Sequence, residues 1–351
     1  MVIWGLMSPR ASLKCAIRWH YAVLVGQRRN RLKMWSISCS ASVNIAIRRF
    51  IRWRIMMCWQ QMPQRSPCSP PKARPEATMA ALQITLLGCG KMGSAMLRGW
   101  LADPTLDANF TIIEPYHEHL DWADAHSRVV IYSDCQTAMA SGAPVSSMIV
   151  LAVKPQMMDE AIAVIGSLRD ADTAFLTIAA GISSGWLRAR LVTRAPILRA
   201  MPNTPAAIGK GVTALYADYA ATDLVPLAIQ LLGTIGAVVV IDDESLMDAV
   251  TAVSGSGPAY VFLLAEAMTA AGIAAGLPAA LATQLAEATV SGAGALIEAA
   301  DESPAVLREN VTSKGGTTAA ALAVLMNENG LTPLIERAVK AAKARAVALG
   351  A

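Results

Sequence analysis

The chain has 351 residues, enough for about two domains, and 54% of them are hydrophobic, ample for a core. Its formal net charge of +4 joins two unlike pieces: residues 1–78 carry fourteen Lys or Arg against one acid, Glu76, for a net of +13, and the rest carries sixteen against twenty-five, for −9. The acidic remainder excludes a basic nucleic-acid footprint from the folded part, so no nucleic-acid partner is expected.

Residues 1–78 hold five of the eight tryptophans and four of the six cysteines, with arginine pairs at Arg28-Arg29 and Arg48-Arg49 and a Pro-rich stretch toward Pro75. No steady helical or strand period runs through them. Three readings compete: an organellar transit segment, a basic arm for nucleic acid or membrane, and translated sequence upstream of a true start at Met79. The last is preferred, because Met79 stands a few residues before the first expected strand. A cytoplasmic location follows from it, or an organellar one if the segment is a transit peptide.

The organising stretch is Ile84-Thr-Leu-Leu-Gly88-Cys-Gly90-Lys-Met-Gly93, an apolar run ending in Gly-x-Gly-x-x-Gly and continuing at helical spacing to about Ala102. Such a strand, turn and helix start binds a dinucleotide pyrophosphate: one glycine makes the turn, one admits the backbone to the phosphates, and one lets helix pack on strand. Helix N–H groups then face the anion. The candidate cofactor residues are Gly88, Cys89, Gly90, Lys91, Met92 and Gly93. Further short apolar runs follow at 110–114, 129–132, 147–153, 175–179 and 197–200, alternating with helical segments, which predicts a parallel sheet covered on both faces. Glu114 ends the second run about twenty residues past the turn. An acid there binds the ribose diol of NADH and repels the 2′-phosphate of NADPH, with His117, His119 and Arg128 nearby as possible offsets.

Three further stretches carry chemistry. Ala152-Val153-Lys154-Pro155 leaves the fourth run at the carboxyl edge of the sheet, where ligands of open α/β sheets bind. Met201-Pro-Asn203-Thr204-Pro205 leaves the sixth, and its two prolines stiffen a loop at the same edge. Two glycine-rich helix starts follow: Ser254-Gly-Ser256-Gly257-Pro258-Ala-Tyr260, with Pro258 in the first turn, and Ser313-Lys314-Gly315-Gly316-Thr317-Thr318, with Thr expected at the cap. Either start suits a small carboxylate, and either fits a plain turn and cap. The Ala-rich stretch 259–300 is broken by Glu266, Pro278, Gln284 and Glu287, so it is read as buried soluble helices and no membrane partner is expected. Cys89 and Cys135 form no C-x-x-C or Cys/His spacing, so neither disulfide nor metal is expected.

Taken in order, these five motifs, with Leu307-Arg-Glu-Asn-Val-Thr-Ser-Lys-Gly-Gly-Thr-Thr318 as the last, resemble pyrroline-5-carboxylate reductase over about residues 82–350. The resemblance implies an α/β Rossmann-type N-terminal domain, residues 79–241, followed by an all-α helical dimerisation domain, residues 242–351. It implies a homodimer and a larger ring such as a homodecamer. The implied reaction is hydride transfer from NADPH or NADH, with a lean to NADH from Glu114, to a cyclic imine bearing a carboxylate, completing proline biosynthesis. Ser256, Thr317 and Thr318 are implied to position the substrate, with Met201, Asn203, Thr204, Gly257, Gly315 and Gly316 around it, the Gly-Gly-Thr-Thr start acting across the dimer interface. No general acid is assigned. Lys314 replaces the proline usual in the family, loosening that loop. Rival readings are a β-hydroxyacid or opine-type dehydrogenase, for which Lys314 is poorly placed, and a dinucleotide sensor without turnover.

Overall fold

The structure is a computed structural model that describes residues 81–191 and 194–350; the expectations for residues 1–78 and for a start at Met79 lie outside the described residues. Alternation builds its sheet. In β1 (Leu82–Leu87), Ile84 and Leu86 face one core while Leu87 faces another. β4 (Met148–Leu151) repeats this, with Met148 and Val150 on the first face and Ile149 and Leu151 on the second. A strand buried on both faces reads as a continuous apolar run, because successive side chains point to opposite sides of a pleated sheet.

On the first face lie α1 (Lys91–Ala102) and α5 (Val225–Gly233). α1 buries Gly93, Met96, Leu97 and Trp100, a three-and-four spacing that makes one stripe of a helix. Trp100 stacks on Phe110 with ring centroids 5.4 Å apart, and its indole N–H donates to the Leu231 carbonyl at 2.9 Å, so a large buried ring keeps its polar atom paired. The second face is covered by α2 (Cys135–Ala140), α3 (Met158–Ala163) and α4 (Ser184–Leu191).

The strand order is β3-β2-β1-β4-β5-β6-β7-β8, with β2 at Ala108–Ile113, β3 at Val129–Tyr132, β5 at Ala174–Thr177 and β6 at Ile197–Met201. β1 to β6 pair in parallel, and the order reverses between β1 and β4, which opens a crevice at their carboxyl ends. The sequence predicts six strands; the sheet has two more among the described residues. β7 (Gly211–Ala217) runs antiparallel to β6, and β8 (Gly236–Val240) parallel to β7 with α5 as the crossover. The nine residues 202–210 between β6 and β7 are too few for a parallel crossover, which takes about a dozen or more.

From Glu244 the chain is helical. A turn at Met247–Val250 passes through a π-helical segment, Thr251–Gly255, into α6 (Gly257–Ala274). α7 (Ala279–Ala299), α8 (Pro304–Asn310), α9 (Thr317–Leu325) and α10 (Leu331–Gly350) follow. α6 and α7 pack as a hairpin; α10 packs against the π-helical turn. The expectation of buried helices over 259–300 fails within one chain. α6 buries no residue and α7 only Ala282 and Ala286, leaving Phe262 and Leu263 about three-fifths exposed at 59% and 62%. The apolar residues of α6 encircle the helix, so a single neighbouring helix cannot cover them. By length and composition, Glu244–Ala274 is also long and apolar enough to cross a membrane, with a mean hydropathy of 1.3.

Candidate active site

At the end of β1 the chain turns through Gly88 with φ +90°, a left-handed conformation that glycine accepts without strain. A Cβ there would lie 2.9 Å from the Ala152 carbonyl oxygen and 3.0 Å from Val153 Cγ1, so the close approach of the β4 exit also requires glycine. At Gly93 a Cβ would fall 2.6 Å from the Gly88 oxygen, whereas beside Gly90 nothing lies within 4 Å. Helix α1 therefore abuts the strand end, and the space over Gly90 is open at the helix N-terminus, where a pyrophosphate fits the backbone N–H groups.

The loop is braced from β2. Glu114 Oε2 accepts the Cys89 N–H at 2.7 Å and Oε1 the Tyr116 N–H at 3.2 Å. His119 Nε2 meets the Cys89 carbonyl at 2.9 Å, and His117 Nδ1 the Glu114 carbonyl at 3.2 Å. Arg128 is not available to offset Glu114. Its guanidinium donates to the Leu106 and Leu101 carbonyls at 2.8 and 3.0 Å, at the far end of β2. Burial pushes the Cys89 thiol up to about 11, so the residue inside the turn is a neutral, inert thiol near neutral pH. A cleft of about 420 Å³ opens over this edge, lined by Gly88, Gly90, Glu114, Ala152, Val153 and Lys154 among others. Met92 is half-buried and Lys91 exposed at the start of α1, and Pro155 begins the turn after Lys154.

The second group assembles where the sheet meets the helical segment. Pro202 and Asn203 are buried and Thr204 exposed. Asn203 Nδ2 donates to the Ser254 carbonyl at 3.2 Å, and its Oδ1 accepts the Val212 N–H at 2.9 Å. The Met201 methyl reaches Gly255, where a Cβ would lie 2.6 Å away. The strand-exit loop and the Ser254-Gly-Ser256-Gly257 start thus form one structure, with Pro258 in the first turn of α6. The π-helical turn just before it carries one buried hydroxyl without a partner, Ser254 Oγ. Single π-turns recur at functional sites because they re-aim side chains without ending the helix.

The third group stands apart on an exposed corner. Gly315 turns with φ +74°, and Gly316, not Thr, is the cap of α9; Thr317 and Thr318 occupy its first turn. A side chain at Gly316 would meet the Ser313 hydroxyl, which would have to turn aside. Lys314 and Thr317 are exposed and Thr318 half-buried, so this helix start is open to solvent within one chain.

Sequence reasoning missed the brace that ties α4 and β6 to the start of the helical segment. Ser184 N–H and Oγ donate to Glu244 at 2.7 and 2.5 Å, and Arg199 Nη1 to the same carboxylate at 3.0 Å. Ser184 and Arg199 lie 60 and 45 positions from Glu244, and the three carry no local pattern. Among the described residues no three His, Cys, Asp or Glu gather as a metal site would require.

A glycine turn at the switch point of a parallel sheet, an acid at the end of β2 and a strand-exit loop tied to a following helix start define a dinucleotide-dependent oxidoreductase of the Rossmann class. A family model described as "NADP oxidoreductase coenzyme F420-dependent" matches residues 83–181, and one described as "Pyrroline-5-carboxylate reductase dimerisation" matches residues 244–349. Over 272 residues the chain is 39% identical to a pyrroline-5-carboxylate reductase of Synechocystis, covering 77% of this chain and 99% of that one. A solved structure of such a reductase from Coxiella burnetii is 31% identical, with a TM-score of 0.68 over 78% of this chain and 99% of that chain. One from Plasmodium falciparum, solved with NADP bound, is 26% identical, with a TM-score of 0.64 over 78% of this chain and all of that chain. The chain belongs to the pyrroline-5-carboxylate reductase family.

Proposed function

We propose that the chain reduces 1-pyrroline-5-carboxylate to proline with NADH or NADPH, the last step of proline biosynthesis, and that it works as a homodimer. When bound, the nicotinamide coenzyme supplies a hydride to the C=N carbon. The cradle suits it, because Gly88 leaves no room for a side chain and Gly90 leaves the helix N-terminus open. The observation that carries the reading is the Asn203 bridge, which fixes the β6 exit to the start of α6 at the carboxyl edge of the sheet that bears the glycine turn.

The protein's task is alignment. A protonated imine is already a good hydride acceptor, so the residues chiefly hold two rings in register and exclude water. Met201 and Thr204 wall the meeting point, with Ser256 and Gly257 beside it. Residues 315–318 hold the substrate carboxylate through N–H groups and the Thr317 and Thr318 hydroxyls. Because that helix start is exposed in one chain, it serves the site of a second copy. The exposed apolar faces of α6 to α10 support the same arrangement, covered by a partner rather than by lipid, and the family resemblance extends the dimer to a ring of dimers. Glu114 favours NADH, since an acid at the end of β2 pairs with the ribose diol.

The full chain is expected to oxidise NADH in the presence of 1-pyrroline-5-carboxylate. Changing Thr317 and Thr318 together to Ala should raise KM for the imine by roughly 10- to 100-fold, the loss of one or two hydrogen bonds to a charged group. Absence of turnover with either coenzyme would sink the proposal.

A further inference from the structure

The coenzyme cleft holds more charge than Glu114. It spans the carboxyl ends of β3, β2, β1 and β4, so Asp134 enters from the β3 side and Glu160, on α3, from the β4 side. Asp134 caps α2: its Oδ1 accepts the Thr137 N–H at 2.7 Å, and its Oδ2 accepts the Ser133 and Thr137 hydroxyls, each at 2.9 Å. Those donors, the Thr137 N–H first, hold its carboxyl below the usual carboxylate range, so the charge is complete at neutral pH. Against the three carboxylates the cleft lining offers, among the described residues, one cation, Lys154. Arg128 is held at the far end of β2, and the rings of His117 and His119 sit on backbone carbonyls.

Resting on the reading of this cleft as the coenzyme site, we propose that Asp134, with Glu160 on the opposite wall, is a second determinant of coenzyme choice that acts with Glu114 to exclude a ribose 2′-phosphate. A phosphate monoester carries nearly two negative charges at neutral pH. Its repulsion by carboxylates around an open cleft sums over all of them and is screened by salt. Both Glu114 oxygens already accept backbone N–H groups, so exchanging that residue alone disturbs the glycine loop and leaves two of the three charges in place. Coenzyme choice is therefore distributed around the cleft and not vested in the acid that ends β2.

The test titrates NADH and NADPH into the full chain by coenzyme fluorescence, without imine. NADH should bind tighter, and the ratio of the two Kd values should fall as ionic strength rises from about 0.02 to 0.5 M, where the screening length shrinks severalfold. Asp134→Ser keeps an N-cap residue while removing the charge. It should narrow the ratio on the order of threefold to tenfold, the scale of one charge met across a solvated cleft. Glu114→Gln should narrow it without inverting it, and the two changes together should narrow it further. Parity reached by Glu114→Gln alone with no effect of Asp134→Ser, or a ratio indifferent to salt, would overturn the proposal. If Asp134→Ser lowers the melting temperature, Glu160→Gln serves in the same titration, with the same narrowing expected and an unmoved ratio overturning it. A chain that binds NADH but never reduces the imine still decides the matter; one that binds neither coenzyme overturns this proposal and the coenzyme site together.

Discussion

Asn203 spends both ends of its amide inside the chain, one on the Val212 N–H and one on the Ser254 carbonyl, so it holds the β6 exit and the π-helical turn together. Replacing it by Ala strands a donor and an acceptor in a buried place, at a cost of about 1 to 3 kcal/mol each if water cannot reach them. Asn203→Ala should therefore lower the urea midpoint and depress kcat more than it raises KM for coenzyme, because the glycine turn is untouched. A fall in coenzyme affinity with kcat intact would contradict that placement. At this scale the glycine turn was legible from sequence, since glycine spacing encodes a backbone demand that only that residue meets. The Asn203 bridge was half legible: two prolines marked a stiff loop, but Val212 and Ser254 are set by tertiary packing. Arg128 was misjudged, because nearness in sequence to Glu114 said nothing about which end of β2 its guanidinium would reach.

Among elements, the strand exits are fixed by few long-range ties, and the Glu244 brace joins three of them. Arg199 on β6 is buried, with 7% of its side chain exposed, and its carboxylate partner Glu244 begins the helical segment while accepting twice from Ser184 at the start of α4. Removing one partner of a buried pair leaves an uncompensated charge and costs about 3 to 5 kcal/mol when burial is complete. Glu244 is partly open, so Glu244→Ala should cost less, roughly 2 to 3 kcal/mol in urea unfolding. Glu244→Gln, which keeps an acceptor for Ser184, should cost less again. Equal losses for the two variants would show that the charge paired with Arg199, and not the acceptor offered to Ser184, carries the tie. Six strands were readable as apolar runs because burial on both faces leaves no polar interruption. The antiparallel return of β7 was not in that pattern; it follows from the short loop before it. The cap of α9 differs from the expectation by one residue, since Thr317 and Gly316 are both acceptable caps and only the fold shows where the helix begins.

One chain alone leaves Phe262, Leu263, Ile297 and Val324 at least half exposed, and Gly315 and Thr317 open to solvent, which fits helices covered by a second copy. Composition showed that these helices need burial, but not by what. If each site joins the Rossmann half of one protomer to the Gly-Gly-Thr-Thr start of its partner, two impaired variants should repair each other when assayed at an imine concentration well below the raised KM. Gly88→Ala damages only the coenzyme side, because its Cβ would strike Ala152 and Val153. The Thr317→Ala, Thr318→Ala pair damages only the carboxylate side. A mixed dimer then contains one site built from two sound halves and one built from two damaged halves. When the two proteins are dissociated, mixed in equal amounts and reassociated at random, half of the dimers are mixed, and turnover should recover to about a quarter of the parent's value. Mixing without dissociation should recover nothing at first and rise as subunits exchange. If each site lay within a single chain, the mixed dimers would hold no intact site, and no recovery would appear under either protocol.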